Sequence, residues 1–244
     1  MERLICVSAD LATVEGCAKA CAAALKVFDG KLDVLVNNVG GARLGCPIES
    51  ASDDDFMWHF ALNVRPCYEM VRCCRDALIK SKGAVINLSS IAASQVMHGM
   101  TPYCIAKAAI EHLTKCQANE LTQFGVRVNA VAPGTISTEF HVRAGMPSEV
   151  ATQYYKDPTG RHPLGRVGDP EEIADAIVFL ASSSWTTGSV LTVDGGRQLL
   201  CGPESRAPQG GAKSKPGPET EAAGSAADTA VDVKAAAATG GGSS

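Results

Sequence analysis

The sequence predicts an α/β fold built on a parallel β-sheet. Short apolar runs rich in β-branched residues, at residues 32–36, 84–89 and 126–131, are typical of strands that are buried on both faces. Helix-like segments separate these runs, so each strand is expected to pair in parallel with a neighbour. Polar or glycine-containing turns follow the runs, at the carboxyl ends of strands, where open sheets of this kind bind ligands.

Capping residues, chain breakers and apolar spacing define the other predicted elements. Asn63 interrupts one helical stretch, and residues 139–167 are irregular in pattern, as in a loop over a site. The strand at residues 32–36 is so apolar that no face of it is expected to be wet. The further elements are strands at residues 4–7 and 190–193 and helices at residues 13–28, 52–62, 66–80, 101–124 and about 169–182.

Residues 84–107 join a strand to a helix and carry the strongest chemical pattern. Ser90 follows the strand, and Thr101 is expected to cap a helix that has Pro102 at its first position. Tyr103 and Lys107 lie four residues apart and share one helix face. An adjacent ammonium favours the phenolate and lowers the tyrosine pKa, which suits proton exchange at neutral pH. A Tyr-x-x-x-Lys pattern alone also occurs by chance in many helices, so its context decides.

In its context this stretch resembles the short-chain dehydrogenase/reductase family. The resemblance extends over residues 4–199 and includes Asn-Asn-x-Gly at 37–40, Pro-Gly at 133–134 and Val-Asp-Gly-Gly at 193–196. It implies a Rossmann-like, doubly wound parallel sheet. It also implies an oxidoreductase that transfers a hydride between a nicotinamide cofactor and a carbonyl or secondary alcohol, as ketoacyl-, tropinone- and polyol-type reductases do.

The resemblance assigns four catalytic roles. Tyr103 is the acid and base, and Ser90 polarises the substrate oxygen. Lys107 lowers the tyrosine pKa and binds the cofactor ribose, and Asn63 orders a water in the proton relay.

The resemblance also assigns contacts to NAD or NADP, with NADP slightly favoured. From the residues alone, Asp10 fits a helix cap equally well, and the Asn-Asn-x-Gly and Pro-Gly segments fit ordinary turns. The residues assigned to the cofactor are Asp10, Leu11, Asn37, Val39, Gly40, Tyr103, Lys107, Pro133, Gly134, Ile136 and Thr138.

No glycine-rich phosphate-binding turn precedes Asn37. The first strand resembles the third strand of the family, so we expect an N-terminally truncated fold that lacks the first two strand–helix units. Such a chain exposes one edge of residues 32–36 and, expressed alone, is poorly soluble and binds NADH or NADPH weakly. About 50 to 60 upstream residues should restore both properties. The alternative function is therefore a catalytically inactive truncated product, or an oligomer partner of a full-length reductase.

Composition limits the partners and the compartment. The 244 residues carry a net charge of −4 and no basic block, which argues against nucleic acid, and no apolar run reaches the length of a membrane span. The 10 cysteines lack metal-binding spacing, so no metal is expected. We expect the cysteines to be free thiols, in the cytoplasm or another reducing compartment. The expected partners are a small carbonyl or alcohol substrate and further copies of the chain, in a homodimer or homotetramer formed through helices 66–80 and 101–124.

Two regions are expected along the chain: a domain at residues 1–200 and a tail at residues 201–244. The tail is rich in Ala, Gly, Ser and Pro and contains no aromatic residue. It cannot bury enough apolar surface to offset its ordering entropy, so disorder is expected, with at most a transient helix at residues 231–238.

Overall fold

The computed structural model describes residues 4–157, 161–200 and 230–233. The strands are β1 (Ile5–Ser8), β2 (Val34–Asn37), β3 (Ala84–Leu88), β4 (Arg127–Pro133), β5 (Val190–Val193) and β6 (Ala230–Val233). The α-helices are α1 (Val14–Val27), α2 (Asp53–His59), α3 (Arg65–Ser81), α4 (Thr101–Leu121), α5 (Phe140–Arg143), α6 (Ser148–Lys156) and α7 (Pro170–Ser182).

Four parallel strands in the order β2-β3-β4-β5 form the central sheet. Helices α1, α3 and α4 pack on one face in a cluster that contains Leu78 and Val85. Helix α7 covers the other face in a cluster that contains Ile86 and Leu180. Val85 and Ile86 are consecutive in β3 and enter opposite clusters, so this strand is buried on both sides. The predicted Rossmann-like doubly wound fold is confirmed.

Side-chain caps place the helix starts where the sequence predicts them. The Thr13 hydroxyl accepts a backbone N–H in the first turn of α1. A reciprocal capping box between Ser52 and Asp55 begins α2, and another between Asp169 and Glu172 begins α7. These caps satisfy N–H groups that have no partner inside a helix.

The predicted interruption at Asn63 takes a different form. A π-helical turn, Phe60–Val64, joins α2 to α3 with no break in the helical path. Such turns widen the helix by one residue per turn and redirect side chains locally. The two helices predicted from the sequence are therefore one continuous path with a local bulge.

Strand β2 lies at one end of the sheet in the described part of the chain, and β1 does not join this sheet. The expected exposed edge is therefore present. The prediction that this strand has no wet face was wrong, because Val34 is 41% and Val36 39% exposed, whereas Leu35 and Asn37 are buried. Helices α1 and α3 cover only the Leu35 face, so successive side chains alternate between core and solvent.

Most of the predicted tail, residues 201–229 and 234–244, lies outside the described residues, so its disorder stays a prediction. The described stretch corrects one expectation, because β6 is extended and pairs antiparallel with β1, with Val7 opposite Val231. Alternating valines favour a strand over the expected transient helix. No helix within the described ranges is both long and apolar enough to span a bilayer.

Candidate active site

Neighbouring parallel strands bring the predicted site residues to one edge of the sheet. Strand β2 ends at Asn37, β3 leads into Ser90, and β4 ends at Pro133. The carboxyl ends of parallel strands lie at the same edge, so these turns are neighbours. Helix α4 contributes Tyr103 and Lys107 from the segment that follows β3.

The start of α4 fixes the positions of these two side chains. The helix begins at Thr101 with Met100 as its cap, one residue earlier than predicted, and Pro102 lies in the first turn, where its missing N–H costs nothing. Tyr103 and Lys107 lie one turn apart, and both are buried, with 5% and 4% of their surface exposed.

The structure brings Ser90, Tyr103 and Lys107 together as the sequence predicts. The Ser90 side chain lies close enough to the Tyr103 phenol to lower its pKa, and its Oγ accepts the Ala92 N–H at 3.1 Å, which fixes its direction. Lys107 Nζ lies 5.7 Å from the centroid of the Tyr103 ring and donates to the Leu88 carbonyl oxygen at 2.9 Å. A hydroxyl donor, a phenol and an ammonium group thus lie side by side at the carboxyl end of β3.

The pKa of Tyr103 differs from the sequence expectation. Burial raises the pKa of Tyr103 to about 12, although the hydrogen bond from Ser90 lowers it. Burial also lowers the pKa of Lys107 to about 8, because the charged form loses hydration. The expected lowering of the phenol pKa is therefore absent, because burial has the largest effect on the pKa of both groups.

Asn63 ties the π-turn to the loop that follows β2. Its Nδ2 donates to the carbonyl oxygens of Gly41, at 3.0 Å, and His59, at 2.9 Å, and its Oδ1 accepts the Gly41 N–H at 3.1 Å. A Cβ on Gly40 would lie 2.8 Å from Asn63 Oδ1 and 3.2 Å from Lys107 Nζ. Only glycine fits there, so the loop passes directly over the lysine. The water-ordering role of Asn63 stays a prediction.

The residues predicted for the adenosine half of the cofactor have mixed surroundings. Asp10 is exposed, and its Oδ1 accepts the N–H two residues later, as a capping residue does. Leu11 and Val39 pack in or against the core, and Asn37 is buried with its Nδ2 donating to Asn87 Oδ1 at 2.8 Å. Among the residues predicted for the adenosine half, Asp10 is therefore the one with an exposed polar side chain. Asn37 instead links two strands of the sheet.

The segment after β4 is held close to the end of β5. A Cβ on Gly134 would lie 2.7 Å from the Asp194 Cα, so the two turns approach as closely as backbones can. Ile136 forms an isolated bridge with Gly168, and the Thr138 carbonyl accepts the Tyr155 hydroxyl at 2.8 Å. These contacts keep the segment from Pro133 to Thr138 beside the catalytic edge.

The predicted loop over the site does cover this edge, but its helices and its contacts were not apparent from the sequence. The predicted irregular loop contains α5 and α6, and the Phe140 ring of α5 lies 5.8 Å from the Tyr103 ring between centroids. Gln198 Nε2, beyond β5, hydrogen-bonds Ser94 Oγ, four residues after Ser90. Both contacts join distant parts of the chain, so no local sequence pattern predicts them.

His59 is a buried structural residue and not a further acid or base. Its Nε2 accepts the Arg43 N–H at 3.1 Å, so its Nδ1 carries the proton and donates to the Asp55 carbonyl oxygen at 2.7 Å. Burial lowers the pKa of His59, which keeps the ring neutral. These contacts assign His59 a packing role.

Comparison with known proteins agrees with this arrangement. The family model described as enoyl-(acyl carrier protein) reductase matches residues 1–198. A solved short-chain dehydrogenase/reductase of unknown function from Caenorhabditis elegans, with cofactor, has a TM-score of 0.76 and 36% identity over 81% of this chain and 76% of that chain. This chain belongs to the short-chain dehydrogenase/reductase family.

Two further family relatives extend the comparison. The oxidoreductase UcpA of Salmonella typhimurium is 36% identical over 206 residues, covering 80% of this chain and 74% of that protein. The structure of ElxO with NADP bound has a TM-score of 0.70 at 30% identity and covers 78% of this chain and 77% of that chain. As a member of the family, the protein is an oxidoreductase.

Proposed function

We propose that the protein transfers a hydride between NAD(P) and a small carbonyl compound or secondary alcohol. The observation that carries this proposal is the buried contact between Ser90 and Tyr103, with Lys107 one helical turn away, at the carboxyl end of β3. The Tyr103 phenol gives a proton to the carbonyl oxygen during reduction and takes it back during oxidation, and the Ser90 hydroxyl polarises the same oxygen. The bound nicotinamide supplies or accepts the hydride.

The residues next to Lys107 fit the nicotinamide half of the cofactor. An ammonium has three donors, and within the described chain Lys107 Nζ uses one, toward Leu88. The remaining donors are suited to the ribose hydroxyls. The loop at Gly40 leaves no room for a side chain beside this ammonium. A charged Lys107 also favours loss of the Tyr103 proton once a ligand replaces lost hydration with hydrogen bonds.

The finer parts of the proposal concern substrate and assembly. By family resemblance, ketoacyl, tropinone-like and polyol compounds are the substrates to test, and NADP is tested first as cofactor. We expect a homodimer or homotetramer formed through α3 and α4, since both helices expose large apolar side chains, Tyr68 on α3 and Ile105 on α4. The described cysteines from Cys17 to Cys116 are free thiols, in keeping with a cytoplasmic or other reducing location.

The second candidate is a role as the inactive partner of a full-length reductase. It is favoured by the sequence before Asn37, which contains no glycine-rich phosphate-binding turn. Such a chain would bind cofactor weakly by itself and would act through mixed oligomers.

The deciding experiment measures nicotinamide absorbance and fluorescence with the purified chain, NADPH or NADH, and a panel of carbonyl compounds. Cofactor oxidation that depends on the carbonyl compound and is lost in Tyr103→Phe supports hydride transfer. Activity that survives in Tyr103→Phe would contradict the site. Turnover only after mixing with a full-length family member would favour the partner role.

A further inference from the structure

Two arginines from separate parts of the chain meet at Tyr154 in helix α6. The Arg161 guanidinium carbon lies 3.9 Å from the centroid of the Tyr154 ring, and Arg197 Nη1 lies 3.3 Å from the Tyr154 hydroxyl. Arg197 also donates to Thr135 Oγ1, just beyond β4. Both side chains are half-buried. We call Arg161 and Arg197 the arginine pair.

Neither member of the arginine pair has a carboxylate partner in the described ranges. Arg161 donates to the backbone carbonyls of Tyr154 and Asp157, and its Nε is buried with no partner. The three residues before it, Pro-Thr-Gly, carry no carboxylate. A guanidinium has five donors, so the pair keeps unused hydrogen-bonding capacity. The arginines that do form ion pairs are Arg43, Arg72, Arg75, Arg143 and Arg166.

Neighbouring titratable groups reflect the positive potential around the arginine pair. Burial and then the two arginines lower the pKa of His141 to about 4, and the same causes lower the pKa of His162 to about 4. Burial raises the pKa of Tyr154, but the arginines and their hydrogen bonds outweigh it and lower the pKa. The arginines lower the pKa of all three neighbours, and a positive potential of this kind favours an anion. Asp194 opposes it at His162, but its carboxylate already accepts two backbone N–H groups.

His162 gives an independent sign of a missing polar ligand or water. It is 5% exposed, and both of its ring nitrogens are buried without a hydrogen-bond partner. Buried polar atoms are almost always paired, so an unpaired imidazole next to the arginine pair marks a place where a polar group belongs.

Aromatic contacts connect the arginine pair to the proposed acid. Ring centroids lie 5.8 Å apart between Tyr103 and Phe140, 5.4 Å between Phe140 and His141, and 4.9 Å between His141 and Tyr154. A continuous series of ring contacts therefore links the arginine pair to Tyr103.

We propose that the arginine pair binds an anionic group of the substrate, a carboxylate or a phosphate ester, while the carbonyl end faces Tyr103. The substrates are then oxo acids or phosphorylated carbonyl compounds. This inference deepens the proposed function and rests on it. Guanidinium groups are the side chains best matched to planar carboxylates and to phosphates.

The test compares substrates that differ only in charge. A series of straight-chain oxo acids is assayed against the methyl esters of the same acids, and dihydroxyacetone phosphate is assayed against dihydroxyacetone. We expect kcat/KM to be about 10- to 100-fold higher for the anionic member of at least one pair, the range expected of one charge-assisted hydrogen bond. The acid arm and the phosphate arm distinguish the two anions. Equal kcat/KM within every pair would overturn the inference and leave hydride transfer standing.

Variants of Arg197 test whether the arginine pair causes the preference for anionic substrates. Arg197→Met should reduce the anion preference to within about threefold of unity, mainly through KM, and Arg197→Lys should restore part of it because it keeps the charge. Arg143→Met is the matched control, since Arg143 is exposed and pairs with Glu139 on the same loop. A preference that persists in Arg197→Met would overturn the assignment.

A binding measurement keeps the inference testable if no carbonyl compound is turned over. Isothermal titration of the whole protein with glutarate and with inorganic phosphate should show saturable binding of one of them, weakened at least about tenfold in Arg197→Met and retained in Arg143→Met. Absence of binding to both anions would overturn the inference. Absence of turnover with intact anion binding would count against the proposed function alone.

Discussion

Tyr103 makes the contact on which the proposed chemistry depends, because its phenol is buried against the Ser90 hydroxyl. Tyr103→Phe removes the transferable proton and keeps the ring. We expect turnover to fall by at least ~10²-fold, within the usual contribution of acid–base catalysis, with cofactor binding nearly unchanged. Initial rates and nicotinamide fluorescence titration measure the two effects. Tyr68→Phe, at an exposed tyrosine on α3, is the matched control, and wild-type turnover in Tyr103→Phe would disprove the role.

Lys107 makes the stability of the fold depend on pH. Its pKa is about 8 in the folded protein, below the usual value of 10.5, so between these values the unfolded chain binds more protons. The contribution of Lys107 to stability should therefore rise with pH through this window, by about 2 kcal/mol between about pH 7 and about pH 9.5. Tyr103, with its pKa raised to about 12, titrates above this range and adds nothing to it.

Urea unfolding of the wild type and Lys107→Met at the two pH values isolates this contribution. The wild type should gain stability relative to the variant as the pH rises, because the variant has no proton to lose. Lys115→Met, at an exposed lysine on the same helix, should show no such difference. Parallel behaviour of wild type and Lys107→Met would show that the buried lysine does not titrate in this window.

The identities of the site residues follow from local sequence, whereas their electrostatics do not. The spacing of Tyr103 and Lys107 and the strand before Ser90 are short-range patterns, so the three residues were predictable. The pKa of the phenol depends on how completely the rest of the chain excludes water, and no local pattern contains that information. Arg197 reaches Thr135 across 62 positions of sequence, and nothing near either residue indicates the contact.

At the scale of elements, the π-turn Phe60–Val64 is held in place by Asn63. Asn63→Ala removes three hydrogen bonds to the backbone, one buried and two partly buried, and leaves the Gly41 peptide unpaired. We expect a loss of about 2 to 4 kcal/mol in the free energy of unfolding, measured by urea denaturation, because unpaired buried polar groups are costly. Asn119→Ala, at an exposed asparagine on α4, should change stability little. Equal stability of both variants would contradict this account of the turn.

Element boundaries were predictable where a side chain caps a helix and unpredictable where they depend on the pairing of strands. Helix starts are indicated in the sequence by Thr13, Ser52 and Asp169, because each accepts a backbone N–H of the first turn that has no partner inside the helix. The partner of a strand depends on distant residues, so the pairing of β1 with β6 was not predicted. The two helices after Thr138 were not predicted either, because the sequence there has no regular pattern. Asn63 correctly indicated an irregularity, but its π-helical form depends on the loop it binds.

For the whole molecule, the exposed edge of β2 is the expected site of aggregation. Val36 is 39% exposed on an edge strand that carries no proline or lysine to discourage pairing with another chain. Val36→Lys should reduce aggregation, followed by light scattering, and leave the melting temperature nearly unchanged. Leu35→Lys, one residue away but buried, should unfold the protein. Unchanged aggregation in Val36→Lys would show that another surface causes the aggregation.

The amide pair between Asn37 and Asn87 has a consequence for how the sheet assembles. Asn87 Nδ2 also donates to Thr114 and Gln117, and Gln117 donates to the Cys67 carbonyl, so one polar chain runs from β2 to α3 and α4. A slip of one residue between β2 and β3 would exchange the buried and exposed side chains of β2. It would also leave a buried amide without its partner, so the amide pair and the burial pattern favour the same alignment of the two strands.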